Sequence, residues 1–228
     1  YATKEGLSPK AKKEFWNEIE AFGAEIARFK YGVDIIRDYQ IVRDAFVRMN
    51  RTFMAAAQAK GYSSWRLFQI VFIVSLIPDI VACDPEIMDE DEKRRTHLHD
   101  VDLLYFPTGG GKTEAFLGVL IFNLFFDRAR GKSHGVTAIL KYPLRLLSVQ
   151  QVQRVADILA QAERIRLTMP EQANASPFTV GYYVGDGNTP NKIEDKTHKR
   201  LCSMSQQELD EEYRVVDRCP FCRNTSVH

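Results

Sequence analysis

The sequence predicts an α/β protein in which a parallel sheet is covered by helices on both faces and is preceded by a helical segment. Apolar residues recur at helical spacing through residues 1–60. From residue 61 onward, short β-branched runs alternate with longer helical patterns, as in right-handed strand–helix–strand crossovers. A glycine-rich loop stands between one predicted strand and the next predicted helix, where open α/β sheets bind their ligands.

Composition and charge narrow the class of protein. With 228 residues, 45% of them hydrophobic and 27% charged, the chain can bury a core and is not a disordered tail. A net charge of +1 excludes a strongly basic nucleic-acid coat but leaves room for a local phosphate-binding strip. Four cysteines and the lack of a signal-peptide pattern favour the reducing cytoplasm. The most apolar run, 68–83, is too short and too interrupted to cross a membrane.

Two helices are predicted before residue 61. Ser8 and Pro9 form a helix start, because a capping hydroxyl precedes a proline whose missing N–H costs nothing there. An apolar stripe follows at spacings of three and four residues, and Gly32 is expected to end this helix. The stripe consists of Phe15, Ile19, Phe22, Ile26 and Phe29. A second helix is predicted over 34–60, with Gly61 as its stop signal.

The segment 61–200 carries the predicted α/β unit. A mostly buried helix is expected over 65–81, ending near Pro78, and a solvated charged loop over 84–100. Beyond it, predicted strands and helices alternate. The strands are 101–106, 136–142 and 178–184, and the helices are 113–130 and 144–166.

The loop 107–113 reads PTGGGKT and carries the chemistry of phosphate binding. Its glycines let backbone N–H groups turn toward anionic oxygens, since no Cβ stands in the way. The helix that begins near Lys112 adds the positive end of its dipole. Lys112 is expected to reach the β- and γ-phosphates of a nucleotide, and the Thr113 hydroxyl to ligate Mg²⁺. The longer GxxxxGK[ST] pattern is not met, because Phe106 stands where its first glycine would be. The alternative interpretation of the loop is a glycine-rich turn that happens to be followed by Lys-Thr.

Several ordered motifs resemble those of superfamily 2 helicases and translocases, in which TGGGKT is a usual form of the phosphate loop. The segment 65–69, WRLFQ, resembles the adenine-reading Q motif, and 142–151, YPLRLLSVQQ, resembles motif Ia. VGDGNTPN at 184–191 follows the third predicted strand, where this superfamily has further strand-contacting loops. Together with CPFC at 219–222, this order is similar to that of the DrmA-type helicases of DISARM anti-phage defence systems.

The resemblance implies a RecA-like P-loop NTPase lobe, the first of a two-lobe motor that binds ATP between its lobes and DNA across both. Gln69 would read the edge of the adenine. The ATP and Mg²⁺ ligands would be Thr108, Gly109, Gly110, Gly111, Lys112 and Thr113. The DNA backbone contacts would be Arg145, Ser148, Gln150 and Thr189. A DrmB-type partner subunit in bacterial phage defence is implied as well.

The chain departs from the family pattern in its acidic residues. No DExH or DExD box follows a hydrophobic strand, since the acidic run 89–92 precedes the loop and 210–212 does not follow a strand. The chain begins with Tyr1 and stops soon after a cysteine pair, so we interpret it as a piece of a longer protein. Without the acidic box and the second lobe, this piece is expected to bind nucleotide weakly and to hydrolyse almost none.

Cys219 and Cys222 have the spacing of half a zinc ribbon, because CxxC on a turn places two thiolates as tetrahedral Zn²⁺ requires. Cys202, His198 and His228 are candidate further ligands, and a second pair beyond residue 228 fits better. A redox pair or incidental cysteines are the alternatives. The predicted organisation is a helical segment over 1–60, a RecA-like lobe over 61–200 and the start of a zinc-binding insertion over 201–228.

Simpler interpretations stay open for several of these residues. Gln69 could be a polar surface position, Arg145 and Gln150 could belong to an ordinary helix start, and 185–190 could be only a tight turn. Cys83 is expected in the core. For the whole chain, the alternatives to a DNA motor are an RNA-directed motor, a nucleotide-gated scaffold subunit that binds ATP and DNA without translocating, and a zinc-dependent DNA-binding module.

Overall fold

The computed structural model describes residues 8–57, 64–93, 96–105, 107, 109–142, 145–172, 175–183, 192, 194–222 and 224. In these ranges the backbone forms helices joined by turns and irregular segments. The helices are α1 (Pro9–Asp38), α2 (Gln40–Ala57), α3 (Leu67–Val81), α4 (Glu90–Lys93), α5 (Lys112–Ala129), α6 (Arg145–Leu167), α7 (Asp195–Ser203) and α8 (Gln206–Tyr213).

The predicted parallel sheet, and with it the RecA-like P-loop NTPase fold, is wrong. None of the described residues belongs to a β-strand, and the three predicted strands are irregular segments wherever they are described. Their apolar side chains face solvent, with Val101 94% and Ile139 85% exposed. A strand is stabilised by backbone hydrogen bonds to a neighbouring strand and by cover over its faces. Because strand propensity depends on that context, the β-branched residues of these three segments are not sufficient for them to form strands.

Helix α1 begins where the sequence predicts and continues past its predicted end. The Ala11 N–H donates to the Ser8 hydroxyl at 3.2 Å, and Pro9 is the first helical residue. The prediction that Gly32 breaks the helix is wrong, because Gly32 lies buried inside α1. A Cβ built on Gly32 would overlap the backbone carbonyl of Val74 in α3. The glycine is therefore required by close packing between two helices rather than by a turn.

The core beside α3 is formed by α5. Phe122, Phe125 and Phe126 of α5 are almost fully buried, and the rings of Phe122 and Phe126 stack with their centroids 6.0 Å apart. α5 therefore supplies the aromatic part of the core beside α3. Pro78 lies inside α3 rather than at its end, and α3 continues to Val81.

A charged cluster joins α1 to the segment that leads into the glycine loop. Arg28 of α1 is largely buried and donates hydrogen bonds to Asp79 of α3 and to Asp102. The hydrogen bond to Asp102 raises the pKa of Arg28 above its ordinary value, burial opposes this rise and Asp79 adds to it. Asp79 also accepts a hydrogen bond from the His97 N–H at 2.6 Å. Removing one member would leave a partly buried charge without its partner, which is costly.

The chain divides into two compact units. The first consists of Tyr1–Val47 and Ser64–Gly131 and contains α1, α3, α4 and α5. The second consists of Arg48–Ser63 and Lys132–His228 and contains α6, α7 and α8, while α2 contributes residues to both.

In the second unit, side chains fix several helix ends. Arg166, buried near the end of α6, pairs with Glu163 and donates to the carbonyl oxygen of Gln172. At the start of α8, the Ser205 N–H donates to the Glu208 carboxylate at 2.7 Å, and the Glu208 N–H donates to the Ser205 hydroxyl at 3.3 Å. This reciprocal pair is a capping box, and the hydrogen bond from the Ser205 N–H lowers the pKa of Glu208.

Cys83 lies just after α3 and is exposed, so its predicted place in the core is wrong. Its thiol donates to the Ile80 carbonyl oxygen at 3.0 Å. Among the described residues, no helix combines the length and the apolar character that crossing a membrane requires.

Candidate functional site

The glycine loop has left-handed backbone at two of its three glycines. The φ angle is +80° at Gly109 and +90° at Gly111, and Gly111 is the N-cap of α5. Residues with a Cβ rarely adopt this conformation. The Gly110 N–H donates to the Pro107 carbonyl oxygen at 3.1 Å, which closes a turn. The loop therefore requires glycine at 109 and 111 for its backbone conformation alone.

Gln69 of α3 braces this loop. The side chain is 5% exposed, its Nε2 donates to the Gly111 carbonyl oxygen at 2.8 Å, and its Oε1 accepts from the Arg66 N–H at 2.9 Å. A Cβ on Gly111 would lie 2.6 Å from Nε2, so the close approach also requires a glycine. The interpretation of Gln69 as a surface residue is wrong. Its contact with adenine stays a prediction, and adenine would have to compete with these two hydrogen bonds.

Arg66 is a second brace, which the sequence interpretation missed. Its Nη1 donates to the Gly110 carbonyl oxygen at 2.7 Å, so two successive carbonyls of the loop are bound from the start of α3. In a trans peptide the C=O and the following N–H point in opposite directions. The N–H groups of Gly111 and Lys112 therefore point away from these braces. The sequence carried a signal for only half of this arrangement: Gln69 stands three residues after the N-cap Arg66, where a capping box places its acceptor, but Arg66 itself has no acceptor and its contact with Gly110 had no local signal.

Lys112 and Thr113 are the first two residues of α5 and are half-buried. They lie where the loop meets the amino end of an 18-residue helix, which carries the positive end of the helix dipole. An anion at this point would meet backbone N–H groups, the helix dipole and an ammonium group together. Thr108, the remaining predicted ligand, lies outside the described residues.

The four predicted DNA contacts are described in part. Arg145, Ser148 and Gln150 fall within the first two turns of α6, and Gln150 is exposed. The side chains of Arg145 and Ser148, and the whole of Thr189, lie outside the part of the chain that the structure describes. The structure thus places three of the four positions on one helix end.

The cysteine pair lies on a short closed turn. The Cys219 N–H donates to the Asn224 carbonyl oxygen at 2.8 Å, and Cys222 is exposed. In the described ranges, no group of three or more His, Cys, Asp or Glu side chains is placed to hold a metal ion. Of the candidate further ligands, Cys202 and His198 lie together on α7, with Sγ 3.8 Å from Nε2, and His228 is outside those ranges. The turn therefore presents two thiols.

Gln153 of α6 holds this turn by hydrogen bonds to the residue before Cys219. The sequence did not predict this role for Gln153. Its Nε2 donates to the Arg218 carbonyl oxygen at 3.1 Å, and its Oε1 accepts from the Arg218 N–H at 3.2 Å. The same amide donates to Asp157 at 2.8 Å. The residue before Cys219 is thus bound through both of its backbone polar groups. The sequence signal for the hydrogen bond between Gln153 and Asp157 was their spacing of four residues, which puts both side chains on one face of α6.

The two acidic runs have structural partners. Asp89 accepts hydrogen bonds from the Asp91 and Glu92 N–H groups at 2.9 and 2.8 Å, as a cap of the short α4. Glu212 forms an ion pair with Arg200 at 2.7 Å. The run 210–212 lies within α8, which confirms the prediction that the residues before it do not form a strand.

Comparison with known proteins identifies a relative. The chain is similar to the DISARM protein DrmA of Bacillus paralicheniformis, with 34% identity over 198 residues. The match covers 79% of this chain and 16% of that protein, so the chain spans less than a fifth of the length of this curated relative. No protein-family model matches the chain, and no solved structure matches it significantly. The resemblance predicted from the motifs is therefore confirmed, and the chain is identified as DrmA-type over the stretch that the two proteins share.

Proposed function

We propose that this chain is the nucleotide-binding part of an ATP-dependent DNA helicase or translocase of a bacterial phage-defence system. The observation that carries the proposal is the glycine loop, whose carbonyls are tied to α3 while the following N–H groups point the other way. The similarity to a protein named as a DISARM component supports the biological setting. The proposal rests on the loop and its braces, and needs no sheet beneath them.

In this proposal, the residues of the loop divide the work of binding ATP. The N–H groups of Gly111 and Lys112 and the Lys112 ammonium group neutralise phosphate oxygens, and the Thr113 hydroxyl ligates Mg²⁺. Bound MgATP would supply the free energy for movement along DNA. Arg66 and Gln69 keep the loop in its receptive conformation, so that binding does not have to order it.

The DNA backbone would be bound by Arg145, Ser148, Gln150 and Thr189. Contacts to phosphates are independent of the base sequence, so this binding would not be sequence-specific. A DrmB-type subunit would be the partner. Cys219 and Cys222 would supply two of the four ligands of a structural Zn²⁺, the others coming from elsewhere. Coupling requires that the affinity for DNA differ between the ATP-bound and nucleotide-free states.

The nucleotide site is tested by MgATP titration of the chain. Lys112→Ala should weaken binding at least tenfold, since the ammonium group neutralises phosphate charge. Lys10→Ala is the matched control, because Lys10 is an exposed lysine at the far end of α1 from the loop, paired with Glu14 at 3.9 Å. Equal affinity in all three proteins would refute the assignment of the loop.

The DNA contact is tested by the salt dependence of binding to single-stranded DNA. Arg145→Ala should lower affinity evenly across sequences and reduce the salt slope by about one unit. Arg164→Ala, an exposed arginine near the other end of α6, should leave the slope unchanged. A sequence-selective loss would mean that Arg145 reads bases, and a DNA affinity that is identical with and without ATP would favour a scaffold over a motor.

The zinc contact is tested by metal analysis of the purified chain. Cys219→Ser should lower the zinc content, whereas Cys83→Ser, the same change at the exposed thiol after α3, should not. Zinc content that is the same in both variants as in the wild type would remove the metal from the proposal.

A further inference from the structure

The middle of α1, from Phe15 to Val33, carries a strict apolar repeat. Apolar residues recur at alternating spacings of four and three, which is the heptad pattern of a coiled coil rather than the broader stripe of a helix packed in a core. The repeat consists of Phe15, Ile19, Phe22, Ile26, Phe29 and Val33. We call this face of α1 the heptad seam.

The heptad seam lies on a different side of α1 from the contact with α3, with the centres of the two faces about 130° apart. That contact is made by Arg28, Gly32 and Ile35, which share one face. At 100° per residue, the seam is turned well over a quarter of the way round the helix from them. Phe22 is accordingly 67% exposed, and Ile19, Ile26 and Val33 are exposed too.

We propose that α1 associates through the heptad seam with α1 of a second copy of this chain, as a parallel two-stranded coiled coil. The pattern places Ile19, Ile26 and Val33 at the a positions, so every a residue of the seam is β-branched. β-Branched residues at a together with leucine at d favour two parallel strands, and this seam meets the first of these two conditions. The d positions are phenylalanines; Phe22 is the exposed one, whose ring a partner helix would bury, while Phe15 and Phe29 are already half-buried.

The charges beside the seam match the same arrangement. In a parallel pair the g residue of one helix meets the e residue of the next heptad in its partner. Here Glu25 is at g and Lys30 is at e, so two copies form two symmetry-related ion pairs. In an antiparallel pair the g positions would meet each other, and two of the three g residues within the seam, Glu18 and Glu25, are acidic, the third being Gly32. The surface is therefore complementary to itself in one orientation.

Sedimentation equilibrium of the whole chain over a dilution series tests the association. The wild type should approach twice the mass of one chain as concentration rises. Phe22→Glu should stay at the mass of one chain, because it places two carboxylates in the centre of the seam. Asn17→Glu is the control: it adds the same charge at an exposed position on the other side of α1, and should associate as the wild type does. Circular dichroism of both variants should match the wild type, since neither residue is buried.

A charge exchange tests the orientation. Glu25→Lys and Lys30→Glu should each weaken association several-fold, and the double variant should recover it, because the ion pair is restored in reverse. A wild type that stays monomeric throughout the series overturns the proposal. Association that is unaffected by Phe22→Glu, or a double variant that is no better than the single ones, overturns the seam or its parallel orientation.

Discussion

The glycine loop and the cysteine turn are held by the same device in two different settings. Gln69 binds the Gly111 carbonyl from α3, and Gln153 binds both backbone polar groups of Arg218 from α6. Each is a buried carboxamide that supplies the partner which an irregular backbone segment would otherwise lack. Backbone groups away from helices and strands need such partners when water is excluded.

The two settings differ in how many constraints act on the loop. The glycine loop has a second anchor in Arg66 and runs directly into α5, whose phenylalanines form the core. The cysteine turn has its brace at Arg218 and the backbone hydrogen bond of Cys219, while its tip at Phe221 and Cys222 is exposed. The conformation of the glycine loop is therefore fixed by more contacts than that of the cysteine turn.

The largest change in stability is expected at the packing of α1 against α3, the helix that carries Gln69. Gly32→Ala should destabilise the chain by about 3 kcal/mol, because the added Cβ meets the backbone carbonyl of Val74, which cannot move aside as a side chain could. Gly23→Ala, in the same helix with no atom within 4 Å of the new Cβ, should instead stabilise it by about 1 kcal/mol. Urea unfolding of both variants measures the difference, and effects of equal sign would contradict the packing argument.

The brace of the glycine loop comes next. Gln69→Glu keeps the acceptor for the Arg66 N–H but sets a carboxylate oxygen against the Gly111 carbonyl, and should cost about 2 kcal/mol of stability together with nucleotide affinity. Gln150→Glu makes the same chemical change at an exposed position and should cost little stability. Urea unfolding and MgATP titration check the two effects, and full nucleotide affinity in Gln69→Glu would show that the brace does not shape the loop.

A smaller effect is expected at the cysteine turn. Gln153→Leu removes both hydrogen bonds to Arg218 and should cost about 1 kcal/mol, with faster amide exchange around Cys219 while α5 is unaffected. Hydrogen exchange read by mass spectrometry separates the two regions. Equal acceleration in both regions would mean that the turn is not held separately from the glycine loop.

The smallest effect concerns α8, which is fixed by its own capping box. The hydrogen bond from the Ser205 N–H lowers the pKa of Glu208 in the folded state, so its contribution to stability is present above the ordinary glutamate pKa and is lost as pH falls through the lowered value. The protection factors of the α8 amides, which are corrected for the intrinsic pH dependence of exchange, should therefore fall below about pH 4. Glu208→Gln should remove this pH dependence, and a pH profile that is the same in both proteins would exclude the capping carboxylate as its cause.

The starts of α1, α3, α5 and α6 were predictable from the sequence, whereas α4, α7 and α8 were not predicted and the boundary between α1 and α2 was placed too early. α5 and α6 begin within one residue of their predicted starts, since apolar periodicity and a preceding glycine or proline are local signals. Gly32 has the same local signal as a helix stop, yet its neighbour Val74 lies in another helix, and that neighbour decides its role. The predicted strands failed for the same reason, because pairing and cover come from residues far along the chain.

The sequence by itself determined the starts of α1, α3, α5 and α6, the composition of the glycine loop and the resemblance to DrmA-type proteins, because each depends on neighbouring residues. The tertiary structure decided that no sheet forms among the described residues, that Gln69 and Arg66 hold the loop, and that Gln153 holds the cysteine turn. These contacts join residues that are 42 to 65 positions apart, with Gln69 and Gly111 at the near end of that range. No local pattern encodes which backbone carbonyl a distant side chain will meet, since that depends on how the helices pack.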